Sequence, residues 1–90
     1  MNYLAIDYGT KRIGLAISIN GIISPIAPIK NNCDKYHNII KLIKDEKIDK
    51  IFVGICEGDF AKETIKFVDQ LRGMIELDVE TIEEAISTIE

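Results

Sequence analysis

Ninety residues suffice for one small domain, which buries only about 60–65% of the surface its unfolded chain exposes. An apolar fraction of 47%, with two prolines and six glycines, excludes a disordered or collagen-like chain. The net charge of −4 is unevenly spread: residues 1–50 carry eight Lys/Arg against five Asp/Glu, and residues 51–90 carry three against ten, so only the first half can offer a positive face to phosphates, chiefly from Lys11, Arg12, Lys41 and Lys44.

Residues 2–8, NYLAIDY, hold one acid among apolar neighbours and predict a strand buried on both faces. Gly9-Thr10-Lys11 is a turn, and residues 12–19, RIGLAISI, predict a second strand in which Gly14 marks a close backbone approach or a bulge. Asn20-Gly21 is a strong hairpin signal, because both residues tolerate positive φ. Residues 22–29, IISPIAPI, predict a third strand, and Pro25 and Pro28, unable to donate to a ladder, assign it to a sheet edge. Asp34 is placed to cap a helix over residues 35–47, with Tyr36, Ile39, Ile40 and Ile43 at helical spacing. Residues 50–56 predict a fourth strand. A second helix is predicted over residues 60–72, capped by Asp59, striped by Ile65, Val68 and Leu71, and stopped by Gly73. Residues 74–79 predict a fifth strand, and Thr81-Ile82-Glu83-Glu84 has the form of a capping box opening a last helix with Ile82, Ala85, Ile86 and Ile89 on one face.

The order β-β-β-α-β-α-β-α predicts an α/β fold: three antiparallel strands, then crossovers that add parallel ones, giving a mixed five-stranded sheet with helices packed on it. The ribonuclease H fold begins this way, as do the halves of the actin-like ATPases. No apolar run approaches the roughly 18 residues that cross a membrane, and no basic segment precedes the first strand, which argues against a signal peptide. Cys33 and Cys56 lack metal-ligand spacing and read as reduced thiols of a cytoplasmic protein.

The chemistry concentrates in Ile6-Asp7-Tyr8-Gly9-Thr10-Lys11-Arg12-Ile13-Gly14. An acid at the end of a strand, followed by a glycine turn and a returning strand with a second glycine, suits either of two roles. Asp7 can hold a divalent cation whose shell is completed by water and phosphate oxygens, or it can cap the turn through the amides of Gly9 or Thr10. Lys11 and Arg12 are candidate phosphate contacts or a solvated turn. His37 has no partner in view, and Tyr3, Tyr8 and Phe52 read as core side chains.

The segment LAIDYGTKRIGLAIS closely resembles the first hairpin of the YqgF family, the Holliday-junction-resolvase-like proteins. PIAPI at residues 25–29 and IDKIFVGI at residues 48–55 continue the match, with Cys56 standing where the family usually has proline. The resemblance implies a ribonuclease H-like domain over residues 1–90 lacking the family's usual C-terminal portion. It also implies a nuclease dependent on Mg²⁺ or Mn²⁺, acting on branched DNA or on the small-subunit ribosomal RNA precursor. Asp7 matches the family's first metal-binding aspartate. Glu80 is the nearest match to its second acid, although Val79 and Thr81 replace that motif's aspartate and arginine. Glu57 and Asp78 are further candidate ligands. A second function class is a catalytically degenerate binding module of the same fold, and a third is a nucleotide-binding relative of the actin-like ATPases. Apolar surface left open by a shortened sheet would favour a homodimer.

Overall fold

The computed structural model describes residues 1–55 and 58–83, residue 83 by its backbone alone. Five strands and two helices follow in the order β1 (Asn2–Tyr8), β2 (Arg12–Ile19), β3 (Ile22–Lys30), α1 (Lys35–Asp45), β4 (Lys50–Ile55), α2 (Phe60–Met74) and β5 (Asp78–Glu83). They form one mixed sheet in the spatial order β3-β2-β1-β4-β5. The first three strands pair antiparallel, and β4 and β5 add parallel to β1.

Local chemistry explains the meander. Asn20 and Gly21 take φ of 54° and 85°, the pair of left-handed residues that closes a two-residue hairpin with the twist of its strands. A Cβ at Gly21 would meet nothing within 4 Å, so its cost is conformational alone. Gly21→Ala is expected to lower stability by roughly 1–2 kcal/mol, read as a shift in the urea midpoint; an unchanged midpoint would mean that the turn does not set the hairpin. The prolines of β3 lie on the edge strand, as their missing N–H groups require. The β2–β3 register slips between Ile13 and Leu15, which face Ile29 and Ile26. That one-residue bulge lets two side chains three apart in β3 both pack against the core.

The crossovers β3-α1-β4 and β4-α2-β5 run in the same direction across the sheet. Right-handedness therefore puts both helices on one face. The core lies between them and the sheet: Leu4, Ile6 and Tyr8 of β1, Ile13 and Leu15 of β2, Ile51 and Val53 of β4, and Val79 of β5 meet Ile39 and Ile43 of α1 and Phe67, Val68 and Leu71 of α2. At its centre Phe67 stacks on Tyr8 with ring centroids 4.3 Å apart and on Tyr36 at 5.6 Å.

Several expectations are corrected. Strand β1 is buried on one face only: Leu4, Ile6 and Tyr8 are covered by helices, whereas Ala5 and Asp7 are exposed on the other. Asp7 is therefore not an acid enclosed by apolar neighbours. Tyr3 and Phe52 do not join the main core; half-buried, they pack against each other at 5.6 Å, and strand alternation puts them on the face that neither described helix covers. Helix α2 runs through Gly73 to Met74, and β5 begins at Asp78, so residues 81–83 are strand where a helix start was predicted. Pairing with β4 in the register Ile51↔Val79 fixes that boundary. The rest of the predicted last helix, residues 84–90, lies outside the described residues. On α2, Ile65 is exposed, and Thr64 and Phe67 are buried beside Val68 and Leu71. Asp34 and Asp59 stand at the N-cap positions without a side-chain capping bond.

Candidate active site at the end of the central strand

Asp7 is the penultimate residue of β1, the central strand. Its row across the sheet is Gly14 on one side and Gly54 on the other, with Ile82 beyond. A Cβ at Gly14 would lie 3.4 Å from the Asp7 Cβ and 3.9 Å from its Oδ2, so glycine there leaves the carboxylate uncrowded. Among the described residues the Asp7 carboxylate makes no hydrogen bond or ion pair. The turn-capping role is thus not taken up, and no described residue competes with a ligand for its two oxygens. A shallow cleft of about 300 Å³, lined by Ala5, Asp7, Ala16, Phe52 and Gly54 among others, opens over it on the uncovered face.

The next turn of chain is tightly made. Gly9 sits so close to the Arg12 carbonyl oxygen that a Cβ would overlap it. Asn31, just past β3, holds this turn from the far side: its Nδ2 donates to the Gly9 carbonyl at 2.7 Å and its backbone N–H to the Lys11 carbonyl at 2.9 Å. The Lys35 ammonium donates to Asn31 Oδ1 at 3.0 Å and to the Tyr8 hydroxyl at 2.8 Å. Sequence reasoning missed Asn31 and Lys35; a polar Asn-Asn pair directly after an edge strand was the one available signal. Lys11 and Arg12 are exposed on the turn, and neither forms an ion pair among the described residues.

Glu80 shares the uncovered face with Asp7 but not its neighbourhood. It stands in the row of Phe52 and Ala5, two strands away and two residues back along the sheet. With strands about 4.8 Å apart and about 3.3 Å per residue, the two Cα atoms are roughly 12 Å apart. Its carboxylate is engaged by Lys50 at 3.0 Å, and Lys50 also reaches Asp78 at 3.6 Å. The hydrogen bond to Glu80 is the chief cause holding the Lys50 pKa above its ordinary value. The structure thus does not bring Asp7 and Glu80 together. Glu57 lies outside the described residues. His37 is exposed on α1.

Among the described residues no group of three acids, histidines or cysteines converges on a metal position. A pair of metal ions does not fit this donor set. A single divalent cation does, since such an ion needs one or two carboxylates and takes its remaining ligands from water and phosphate.

The whole sequence, residues 1–90, matches the RuvX Holliday junction resolvase family. The chain belongs to that family. A RuvX relative from Sulfurihydrogenibium, named as a candidate pre-16S rRNA nuclease, is 37% identical over 88% of this chain and 60% of its own length. Other such relatives are covered over 69% and 67% of their lengths, so the chain spans about two thirds of the RuvX proteins it matches. Among solved structures, Thermus thermophilus RuvC in complex with a Holliday junction substrate superposes with a TM-score of 0.65 at 10% identity, over 92% of this chain and 64% of that one. The fowlpox virus Holliday junction resolvase does so with a TM-score of 0.58 at 18% identity, over 94% and 62%. At such identities the likeness establishes the fold, which is ribonuclease H-like as the strand order implied. Among the described residues no helix is long and apolar enough to cross a membrane.

Proposed function

We propose that this chain carries the Asp7 end of a divalent-metal-dependent nuclease site, and that its substrate is structured nucleic acid, the precursor of small-subunit ribosomal RNA first and branched DNA second. The observation that carries this reading is the Asp7 carboxylate at the end of the central strand, without a partner among the described residues and uncrowded between Gly14 and Gly54, in a chain of the RuvX family. Asp7 would hold Mg²⁺ or Mn²⁺. Glu57, which follows β4 in the sequence, is the proposed second donor, and Glu80, held by Lys50, is left out of the set. A divalent ion so held would supply Lewis-acid charge for activating water and for stabilising the departing oxygen. The chain's own part is to orient that ion through Asp7 and to receive the phosphate through Lys11 and Arg12. A reducing, cytoplasmic setting agrees with the free thiol of Cys33.

The same structure favours a second reading. Because the described donors gather around no metal pair and Glu80 is spent on an ion pair, a binding module that has lost hydrolysis is the alternative. The deciding experiment incubates the protein with precursor ribosomal RNA and with a four-way DNA junction under a Mg²⁺ or Mn²⁺ titration. Cleavage that rises with the ion and stops on chelation is expected. Intact substrate from folded protein at every ion concentration selects the binding module.

A further inference from the structure

We infer that the cleft between the β1–β2 turn and the end of β3 is a second phosphate-binding site, in which Lys30, together with Arg12 and Lys11, holds the backbone of a nucleic-acid strand next to the bond at Asp7. The inference rests on the nucleic-acid reading above and adds to it a site, a residue and a direction for the strand.

Lys30 and Arg12 are direct cross-strand partners in the antiparallel β2–β3 pair. Like charges in that position have Cβ atoms about 4.5–5.5 Å apart and destabilise a sheet. Lys11 adds a third cation on the adjoining turn. All three are exposed, and none forms an ion pair among the described residues. Elsewhere on the sheet the chain treats a surface lysine differently: Lys50 is neutralised by Glu80 and Asp78. The cleft between these cations is about 860 Å³, and among the described residues its lining contains no acidic side chain.

Its walls are also built rather than loose. Asn31 ties the turn to the end of β3 through the Gly9 and Lys11 carbonyls, and Lys35 ties Asn31 to Tyr8 of the central strand. The cations on the two sides are thereby held facing one gap. Asp7 and Arg12 are diagonal neighbours, since Asp7 pairs with Gly14 two residues along β2, which puts them about 7–8 Å apart. Strand alternation places Asp7, Arg12 and Lys30 on the same face, so a phosphodiester strand lying over Asp7 continues across Arg12 to Lys30. A repelling pair of cations without a counter-charge among the described residues, set in a braced cleft, is suited to a polyanion.

The test measures binding without catalysis. Labelled single-stranded RNA and a four-way DNA junction are titrated with the protein in a chelator across a range of salt, comparing the wild type, Lys30→Gln, Lys41→Gln on α1 and Asp7→Asn. Lys30→Gln is expected to weaken binding roughly tenfold, the loss of one charge-assisted contact, and to reduce the slope of log affinity against log salt by about 0.7 for the single strand or 0.9 for the duplex arms. Lys41→Gln should leave both quantities near the wild-type values, and Asp7→Asn, which removes a negative charge beneath the strand, should bind no more weakly than wild type. Because the substitution removes a like-charge pair, the Lys30→Gln protein should melt no lower than wild type. Equal losses from Lys30→Gln and Lys41→Gln, an unchanged slope for Lys30→Gln, or no binding by the wild type to either probe each overturns the inference. Binding that depends on Lys30 in a protein that never cleaves would overturn the nuclease reading and leave the phosphate site standing. The relative response of the two probes says whether RNA or DNA is the better source of the phosphates.

Discussion

Asp7→Asn is expected to abolish ion-dependent cleavage and to leave the folding midpoint where it was. The change keeps the size and shape of the side chain and removes one negative charge. In the fold that charge is exposed and bonded to nothing among the described residues, so stability should stay within about 0.5 kcal/mol of wild type. In the proposed site the same charge anchors the cation. Its stabilisation of the transition state is worth several kcal/mol, and at 1.36 kcal/mol per factor of ten the rate should fall by roughly 10²–10³-fold or more. The check is single-turnover cleavage beside a thermal melt. A variant that cleaves at the wild-type rate would show that Asp7 holds no catalytic ion. A variant that loses activity because it melts early would instead place Asp7 among the residues that maintain the fold.

Phe67→Ala has the opposite signature, a large loss of stability with no direct contact to the site. Phe67 is 1% exposed and stacks on Tyr8 and Tyr36, so it joins α2 to β1 and α1. Truncating such a ring costs about 3–5 kcal/mol through lost burial and the cavity left behind. Domains of this size have a total stability of about 5–13 kcal/mol, so the variant should sit near the edge of unfolding at ambient temperature. Phe67→Leu keeps an apolar filling and should recover much of the loss. Urea denaturation followed by circular dichroism reads both; a cost under about 1 kcal/mol for Phe67→Ala would show that the helices do not depend on this ring. Asp7 lies on the opposite face of β1 from Phe67, so Phe67→Ala protein that remains folded should still bind nucleic acid.

What the sequence revealed was mostly local. The Asn20-Gly21 turn, the edge placement of β3 by its prolines and the strand–glycine turn around Asp7 are each decided by residues within a few positions of one another, and each has its place in the structure. What it hid depends on pairing at long range. The start of β5 is set by its register against β4, so the apolar Met74 and Ile75 misled where Lys50 opposite Asp78 decides. The engagement of Glu80 by Lys50 follows from the same register. Covering β1 on one face only is a consequence of two crossovers of the same hand, which an apolar run such as NYLAIDY cannot disclose. Asn31 falls between two predicted elements and had no role assigned to it, because its partners, Gly9 and Lys11, are twenty or more residues earlier in the chain.

The central place of β1 also sets a timetable for synthesis. Its partner on one side, β2, follows within the first twenty residues, but the partner on the other side, β4, begins only at Lys50. A nascent chain released as far as Lys30 can therefore complete the meander while one edge of β1 stays unpaired and the apolar side that α1 and α2 later cover faces solvent. At 5–20 residues per second the interval until Ile55 emerges lasts on the order of a few seconds. During it the exposed edge of β1 is a template for any passing strand. The prolines of β3 blunt the other edge throughout, so this fold guards the side that has no partner among the described residues and leaves to speed, or to a chaperone, the side that waits for one.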